Sequence, residues 1–360
     1  MSIGDQPPAV RGEWFRVYAD AMSARMRRET SALEVWVGIR LNAEPHVGTY
    51  LVLASSFGLA SRAAGHFGLP ARVRIQFLDN DPAPLAEVHQ ETHFHSIRQA
   101  KAAGETTSLV EVNYLPFLRE LSGMTGCSVE AETYSQTQSQ PEFRAAVLDT
   151  LQSWDVIRDH VLGIFWPGIP SGVRGLGFPC PECGLFNGGS PPSVQLASSS
   201  AAILTTDCCH HGEYSIPLTC RTAFLNLETI YRNVVKERLA TAKRDVLSVM
   251  VKGFDWEPFL PKVDHIHGLL ATDDRIPPRF LFPVVAAEDG RKLSKSAILA
   301  SPQAFPSLPP ALLDMGMLRA EFDDSTARLL DLSIRLLEGR TFGLREVMPS
   351  DILRMMEIRA

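Results

Sequence analysis

Between Leu33 and Leu78 the chain changes its apolar period twice, and this switching restricts the fold more than any other feature. Leu33 to Arg40, LEVWVGIR, is apolar and β-branched enough for a buried strand. After a turn over Leu41 to Pro45, a helix starts near His46 and runs through HVGTYLVLASSFGLASRAAGHFG, rich in small residues, to Gly68. Arg72 to Leu78 is a second strand that stops at the acidic turn Asp79, Asn80, Asp81. Strand, helix, strand predicts a parallel sheet with right-handed crossovers.

The alternation predicts a helix over His89 to Ala103, a strand over Ser108 to Asn113, a helix around Pro116 to Leu121, a strand near Cys127 to Tyr134 and a long helix from Pro141 to about Leu162. Ahead of it, Gly12 to Thr30 reads as a helix with Trp14, Val17, Tyr18 and Met22 on one side and a basic end at Arg25, Arg27 and Arg28. The whole is a doubly wound α/β domain. Gly168 to Cys220 turns to Gly, Pro, Ser and Cys and reads as an inserted module. Leu225 to Met250 is strongly helical in pattern, Phe254 to Pro283 has a strand-and-loop texture, and helices over Ser325 to Leu337 and Ser350 to Ile358 form a short tail that packs back on the domain. The expected organisation is 1–167 and 221–300 for the two parts of the main domain, 168–220 for the module and 301–360 for the tail.

Length and composition agree with this reading, since 360 residues with 45% hydrophobic and 21% charged content make roughly two globular domains and exclude disorder, collagen and coiled coil as the main theme. The longest apolar stretches, Tyr50 to Ala54 and Phe280 to Ala287, fall far short of the roughly 20 residues that cross a bilayer. Met1 to Arg11 lacks the order of a signal peptide, so a cytoplasmic protein without membrane partners is expected. A net charge of −6 argues against binding nucleic acid by bulk charge.

Four of the six cysteines crowd between Cys180 and Cys209. Cys180-Pro181-Glu182-Cys183 is one CxxC knuckle, and Cys208 and His211 repeat its spacing. Paired knuckles signal a structural zinc site, with Cys180, Cys183, Cys208 and His211 as ligands and Cys209 or His210 as substitutes. Because the segment between them is polar and Gly/Ser-rich, the metal rather than a core is expected to hold the module together. A redox pair competes, but such a CxxC normally opens a helix, whereas this one sits among prolines and glycines. His93 and His95 flank Phe94 without an evident third ligand and read as ordinary side chains; Cys127 and Cys220 read as small hydrophobes.

Two distant motifs carry the functional signal. Pro45-His46-Val47-Gly48-Thr49 sits where the first strand hands over to a helix, and Gly290-Arg291-Lys292-Leu293-Ser294-Lys295-Ser296 is a polar loop far along the chain. Together, in this order, they resemble the HIGH and KMSKS signatures of class I aminoacyl-tRNA synthetases. Thr49 departs from the first pattern, standing where it has its second His. The resemblance is closest to the catalytic domain of class I lysyl-tRNA synthetases. It extends to Phe77-Leu78-Asp79-Asn80-Asp81, to Glu132-Thr133-Tyr134 with the following helix, to Phe254-Asp255-Trp256-Glu257-Pro258-Phe259 with Asp264-His265, and to the inserted metal module.

The resemblance implies a Rossmann-like (HUP-type) doubly wound parallel sheet with an inserted zinc-binding module, and an ATP-dependent ligase that forms an aminoacyl-adenylate. His46, Lys292 and Lys295 are then catalytic; Gly48, Thr49, Asp264, His265 and Ser294 join them around ATP and its Mg²⁺. The chemistry suits these residue types, because charge builds on the departing pyrophosphate and cations and a helix N-terminus stabilise it. Asp264 would accept from the ribose hydroxyls. Asp79 would hold the substrate ammonium, or else cap a turn, and Tyr134 would line the same pocket, or else belong to the core. Lysine or a lysine-like compound is the implied amino acid. Since the residues after Ser296 leave no room for an anticodon-reading part, the acceptor is expected to be a small amine, a carrier protein or a tRNA acceptor stem. A shortened lysyl-tRNA synthetase and a non-catalytic nucleotide- or amino-acid-binding paralogue are the alternatives.

Overall fold

The computed structural model describes residues 14–83, 88–89, 93–102, 104–162, 176–221, 225–227, 229–271, 276–286, 292–293, 309–313, 315–322, 324–338 and 346–357. In chain order the main elements are α1 (Trp14–Ser23), β1 (Ala32–Arg40), α2 (Val47–Phe67), β2 (Ala71–Leu78), α3 (Glu105–Asn113), α4 (Leu115–Thr125), β3 (Ser128–Thr133), α5 (Tyr134–Ser139), α6 (Pro141–Leu151) and α7 (Trp154–Leu162). After these come β4 (Ser193–Ser198), β5 (Ala201–Cys208), β6 (Gly212–Thr219), α8 (Thr229–Ala242), β7 (Val246–Gly253), α9 (Leu260–Leu269), β8 (Arg279–Phe282) and α10 (Ser325–Leu337).

Five strands form one parallel sheet in the order β8-β7-β1-β2-β3, the expected α/β class with a Rossmann-like central sheet. Its two faces differ. Leu33, Val35, Val37 and Ile39 of β1, with Val73, Ile75, Phe77, Val249 and Val251 of its neighbours, enter the main core beside α2 and the tail helices. The other face carries Glu34, Trp36, Arg72, Arg74, Gln76 and Lys252, largely buried and polar. Parallel strands usually show apolar side chains on both faces. Here one face is a charged network under α8.

Helix α2 forms as expected. His46 caps its start, and Gly68 closes it in a left-handed conformation at φ +66°, donating its N–H to the Ala64 carbonyl. The tail packs back as predicted: Leu329, Leu332, Leu336 and Leu337 join the main core, and Gly58 of α2 leaves room for Ile334 and Leu337 at 3.2 and 3.3 Å from where a Cβ would stand.

Several local expectations are corrected. The helix expected over His89 to Ala103 is instead two short strands, Val88–His89 and His93–Phe94, and one turn at Ile97–Ala100, because His93–Phe94 pairs with Phe186–Asn187 of the inserted module. The strand expected over Ser108 to Asn113 is helix α3, which has no buried residue and so no sheet partner to reward its β-branched side chains. The long helix from Pro141 breaks at Gln152, and Ser153 starts the next one by accepting from Val156 and Ile157 N–H groups. Helix α1 stops at Ser23, with the Arg25 guanidinium donating to the Ala21 carbonyl.

The largest correction lies in Leu225 to Met250. Its helix ends at Ala242, and 246–253 form β7, the strand beside β1. Likewise 254–259 is a short 3₁₀ helix and 260–269 the α9 helix rather than strand and loop. Pro261 stands in the first turn of α9, where its missing N–H costs nothing.

Candidate functional site

The site lies where the carboxyl ends of β1, β7 and β8 meet. At the end of β1 the chain turns, and His46 adopts extended backbone (φ −107°, ψ 174°) as the N-cap of α2. Its Nδ1 accepts from the Gly48 N–H at 3.0 Å, which leaves the proton of a neutral ring on Nε2. Folding the ring back this way explains the glycine: a Cβ at Gly48 would lie 2.8 Å from His46 Cε1 and 3.4 Å from Val285 Cγ2. Thr49 is buried in the first turn, its N–H on the His46 carbonyl.

Val285 connects this turn to the second motif. Its carbonyl accepts from the Leu293 N–H at 2.8 Å, and Ala286 pairs with Lys292 across an antiparallel bridge. Two segments distant in sequence thus touch through one valine. Gly290, Ser294 and Lys295 lie outside the described residues. Lys292 donates to Asp255 Oδ2 at 2.6 Å in a half-exposed ion pair. Asp255 in turn bends over Gly253, where a Cβ would stand 2.3 Å from its Oδ1, so a side chain at the end of β7 would displace this carboxylate. His46, Asp255 and Lys292 therefore gather around the short strand Val284–Val285.

Other expected residues fall elsewhere. Asp264 lies on α9, accepts from Arg279 at 2.5 Å and is half exposed; no described contact joins it to His46 or Lys292. His265 packs its ring against His160 of α7, 4.5 Å between centroids. Asp79, just past β2, is buried and accepts from the Ser135 N–H at 3.0 Å and from the Ser135 hydroxyl. Burial raises its carboxyl pKa, outweighing Ser135 and the charge of Arg98. Tyr134 is fully buried in the second apolar cluster, beside Phe143, with the Arg232 guanidinium 5.3 Å from its ring and no hydrogen-bond partner on its hydroxyl. Asp81 sits between Arg40 (2.6 Å) and Arg232 (2.9 Å). Burial alone would raise its pKa, but the two guanidiniums hold it below the usual carboxylate range.

In the sequence Asp255 is one residue of the run Phe254 to Phe259, and nothing in that run marks it out. Its signal, an Asp two residues beyond a strand end, was hidden because β7 reads as the continuation of a helix.

In the module, Cys180, Cys183, Cys208 and His211 bring four ligand atoms within 4.8 Å of one another. The separations Cys180 Sγ to His211 Nδ1, Cys183 Sγ to Cys208 Sγ and Cys208 Sγ to His211 Nδ1 are 3.5, 3.5 and 3.7 Å. A tetrahedral ion with Zn–S bonds of about 2.3 Å has edges of about 3.7 Å, so the donor set fits zinc. Gly184, at φ +75°, closes the first knuckle by donating to the Cys180 carbonyl. Cys209 and His210 stay outside the cluster. The Cys209 N–H donates to His93 Nε2 at 3.2 Å, and His95 Nε2 lies 3.3 Å from the Cys183 carbonyl. His93 and His95 are thus braces of the knuckles, a role their alternating spacing did not reveal.

The expectation that a metal rather than a core holds the module is corrected in part, because the module has apolar packing of its own. Strands β4, β5 and β6 form an antiparallel sheet whose Ala202, Leu204 and Leu218 enter the same cluster as Leu151, Trp154 and Tyr231. Elemental analysis should find one zinc per chain, and Cys208→Ala should release it and lower the melting temperature by about 5–10 °C, several kcal/mol in a large domain. A metal-free protein with unchanged melting would refute the site.

Fold and site together define an α/β protein with a Rossmann-like parallel sheet, a His/Asp/Lys group at its carboxyl edge and a Cys₃His cluster whose geometry fits a metal ion. No protein-family model matches the chain, and no curated protein does. Among solved structures it is similar to one described as an arginyl-tRNA synthetase from Campylobacter jejuni, at 10% identity and TM-score 0.39, covering 96% of this chain and 72% of that one. It is also similar to a glutamate tRNA ligase from Elizabethkingia meningosepticum in complex with its amino acid (13%, TM-score 0.36) and to a glutamate-tRNA synthetase from Elizabethkingia anophelis (12%, TM-score 0.36). Each of these two matches takes in 75% of this chain but only about half of the other, 53% and 54%. Among the described residues no helix is long and apolar enough to cross a membrane.

Proposed function

We propose that the protein activates an amino acid with ATP through an aminoacyl-adenylate, in the manner of class I aminoacyl-tRNA synthetases, and does so in the cytoplasm. One observation carries this reading: the His46 turn and the Lys292 segment meet at Val285, at the carboxyl edge where α/β sheets bind ligands. An amino acid carboxylate oxygen attacks the α-phosphorus while the bond to the β-phosphate oxygen breaks and pyrophosphate departs. The His46 Nε2–H and the N-terminus of α2 donate to phosphate oxygens, and Lys292 and Lys295, with Ser294, meet the charge that grows on pyrophosphate. Mg²⁺ bound with the triphosphate would share that charge.

Asp255 is better placed than Asp264 for the ribose hydroxyls, since it stands beside Lys292 at the strand end, whereas Asp264 is engaged by Arg279. Asp79 receives the substrate ammonium. The acyl group then passes to a small amine, a carrier protein or a tRNA acceptor stem, and lysine is the amino acid that the sequence resemblance names. Amino-acid-dependent exchange of pyrophosphate into ATP tests this directly, with the full amino acid panel and with bulk tRNA added in parallel. A folded, zinc-replete preparation should exchange with at least one amino acid; silence with all of them, with and without tRNA, would overturn the proposal.

A further inference from the structure

Above the polar face of the sheet, next to the proposed adenylation site, the structure gathers Arg232, Lys236 and Lys252, and among the described residues neither lysine forms an ion pair with a carboxylate. Helix α8 turns Arg232, Asn233 and Lys236 toward the sheet, and Lys252 of β7 rises to meet them. Lys252 donates to Asn233 Oδ1 and lies 4.3 Å from the Trp256 ring. Lys236 is 6% exposed and lies 5.5 Å from the Trp36 ring, and among the described residues no acceptor stands within hydrogen-bond distance of its ammonium.

The neighbouring carboxylates are engaged elsewhere. Asp81 is held by Arg40 and Arg232, Glu237 by Arg279 and His267, and Glu34 by Arg72 and Lys243. Burial, then repulsion from Lys252 and from Arg232, drives the Lys236 pKa well below its usual value; burial lowers that of Lys252 to about 8 even with Glu237 opposing. Keeping such charges away from water without a counterion is costly, so the lysines lose part of their hold on the proton, and a bound anion would favour their charged forms again.

Room for that ligand exists. Gly38, near the end of the central strand β1, is exposed, and a Cβ there would meet only Leu78, at 3.7 Å. It pairs in register with Gln76, whose Oε1 is buried without a partner, as are Asn80 Oδ1 and the Tyr134 hydroxyl. On the other side Gly38 follows the Val37–Val251 pair and so is level with Lys252. The exposed Gly38 thus stands level with a buried polar atom that has no partner among the described residues on one side and with a buried lysine on the other.

We propose that the amino acid activated by this protein has an acidic side chain, whose carboxylate enters the crevice over Gly38 and is received by Lys236, Lys252 and Arg232. This deepens the adenylation reading and rests on it for the word "activated". A lysine side chain would instead bring a further positive charge into a cluster that already repels itself. The carboxylate supplies the missing counterion, while Asp79 lies at the end of the adjacent strand for the ammonium.

The test compares wild type with Lys236→Met and Lys236→Arg, using glutamate, aspartate, lysine and norleucine as probes in pyrophosphate exchange and in calorimetric titration without ATP. Glutamate or aspartate, and not lysine or norleucine, should support exchange. Lys236→Met should raise the Michaelis constant for the acidic substrate about 10–100-fold, the range for a lost hydrogen bond to a charged group. It should leave that for ATP unchanged and melt no lower than wild type, because it removes a buried unpaired charge; Lys236→Arg should recover part of the loss. Exchange with lysine or norleucine but no acidic amino acid would overturn the inference while leaving adenylation standing. An equal rise in the constant for ATP would also overturn it, since the cations would then serve phosphate. If no amino acid supports exchange, adenylation fails and calorimetry decides: glutamate or aspartate binding that Lys236→Met abolishes upholds the pocket, and absence of binding to wild type overturns it.

Discussion

Glu237→Ala should lower the free energy of unfolding by about 3–5 kcal/mol at neutral pH, the usual loss when one partner of a buried ion pair is removed. Glu237 is fully buried on α8 and takes two hydrogen bonds from Arg279, at 2.9 and 2.6 Å, and one contact from His267 Nε2 at 3.0 Å. Without it, Arg279 keeps only the half-exposed Asp264, beside two lysines already short of counterions. Burial alone would raise the Glu237 pKa, but the charge and hydrogen bonds of Arg279 outweigh it and hold the carboxyl well below its usual value. A folded pKa below the unfolded one gives stability that is present above the unfolded value, about 4.3, and lost as pH falls from there toward the folded value. Urea titrations at pH 7 and pH 3.5 should therefore separate wild type from Glu237→Ala widely at the first and less at the second, with Glu237→Gln between them. Equal midpoints at pH 7 would mean that this network contributes nothing to the fold.

The second large effect concerns His46. Two roles meet on its ring: Nδ1 caps α2 by accepting from Gly48, and in the proposed reaction Nε2–H donates to phosphate. His46→Ala removes both, at about 0.5–2 kcal/mol of stability for the cap and about 10²–10³ in the rate of adenylate formation for the donor. His46→Asn keeps a capping oxygen without that donor. It should melt like wild type and be as slow as His46→Ala, with the maximal rate and the specificity constant falling together and the amino acid Michaelis constant little changed. Lys295→Ala should slow the same step comparably. Near-normal rates in His46→Asn would reduce His46 to a helix cap.

The sheet's inner strands show which signals could be read in advance. β1, α2 and β2 were legible because their burial is local to the pattern: continuous apolar runs bounded by Pro45, Gly68 and the Asp79 turn. β7 was not, since alternating Ser248, Met250 and Lys252 face a charged layer and blend into the helix before them. Losing β7 also hid Asp255, which matters only as the residue beyond that strand. The helix expected over His89 to Ala103 fails for a similar reason: His93–Phe94 pairs with a strand of the module, far away in sequence.

By itself the sequence determined the parallel α/β class, the capped start of α2 and the four members of the Cys₃His cluster, because each depends on spacing within a few residues. Only the tertiary structure decided that Gly48 and Leu293 meet through Val285, that Asp255 rather than Asp264 accompanies Lys292, and that Lys236 and Lys252 are buried together with no ion pair to a carboxylate among the described residues. Those relations join segments that the sheet order brings together, and side-chain charge reveals a surplus only once every neighbouring carboxylate has found its partner.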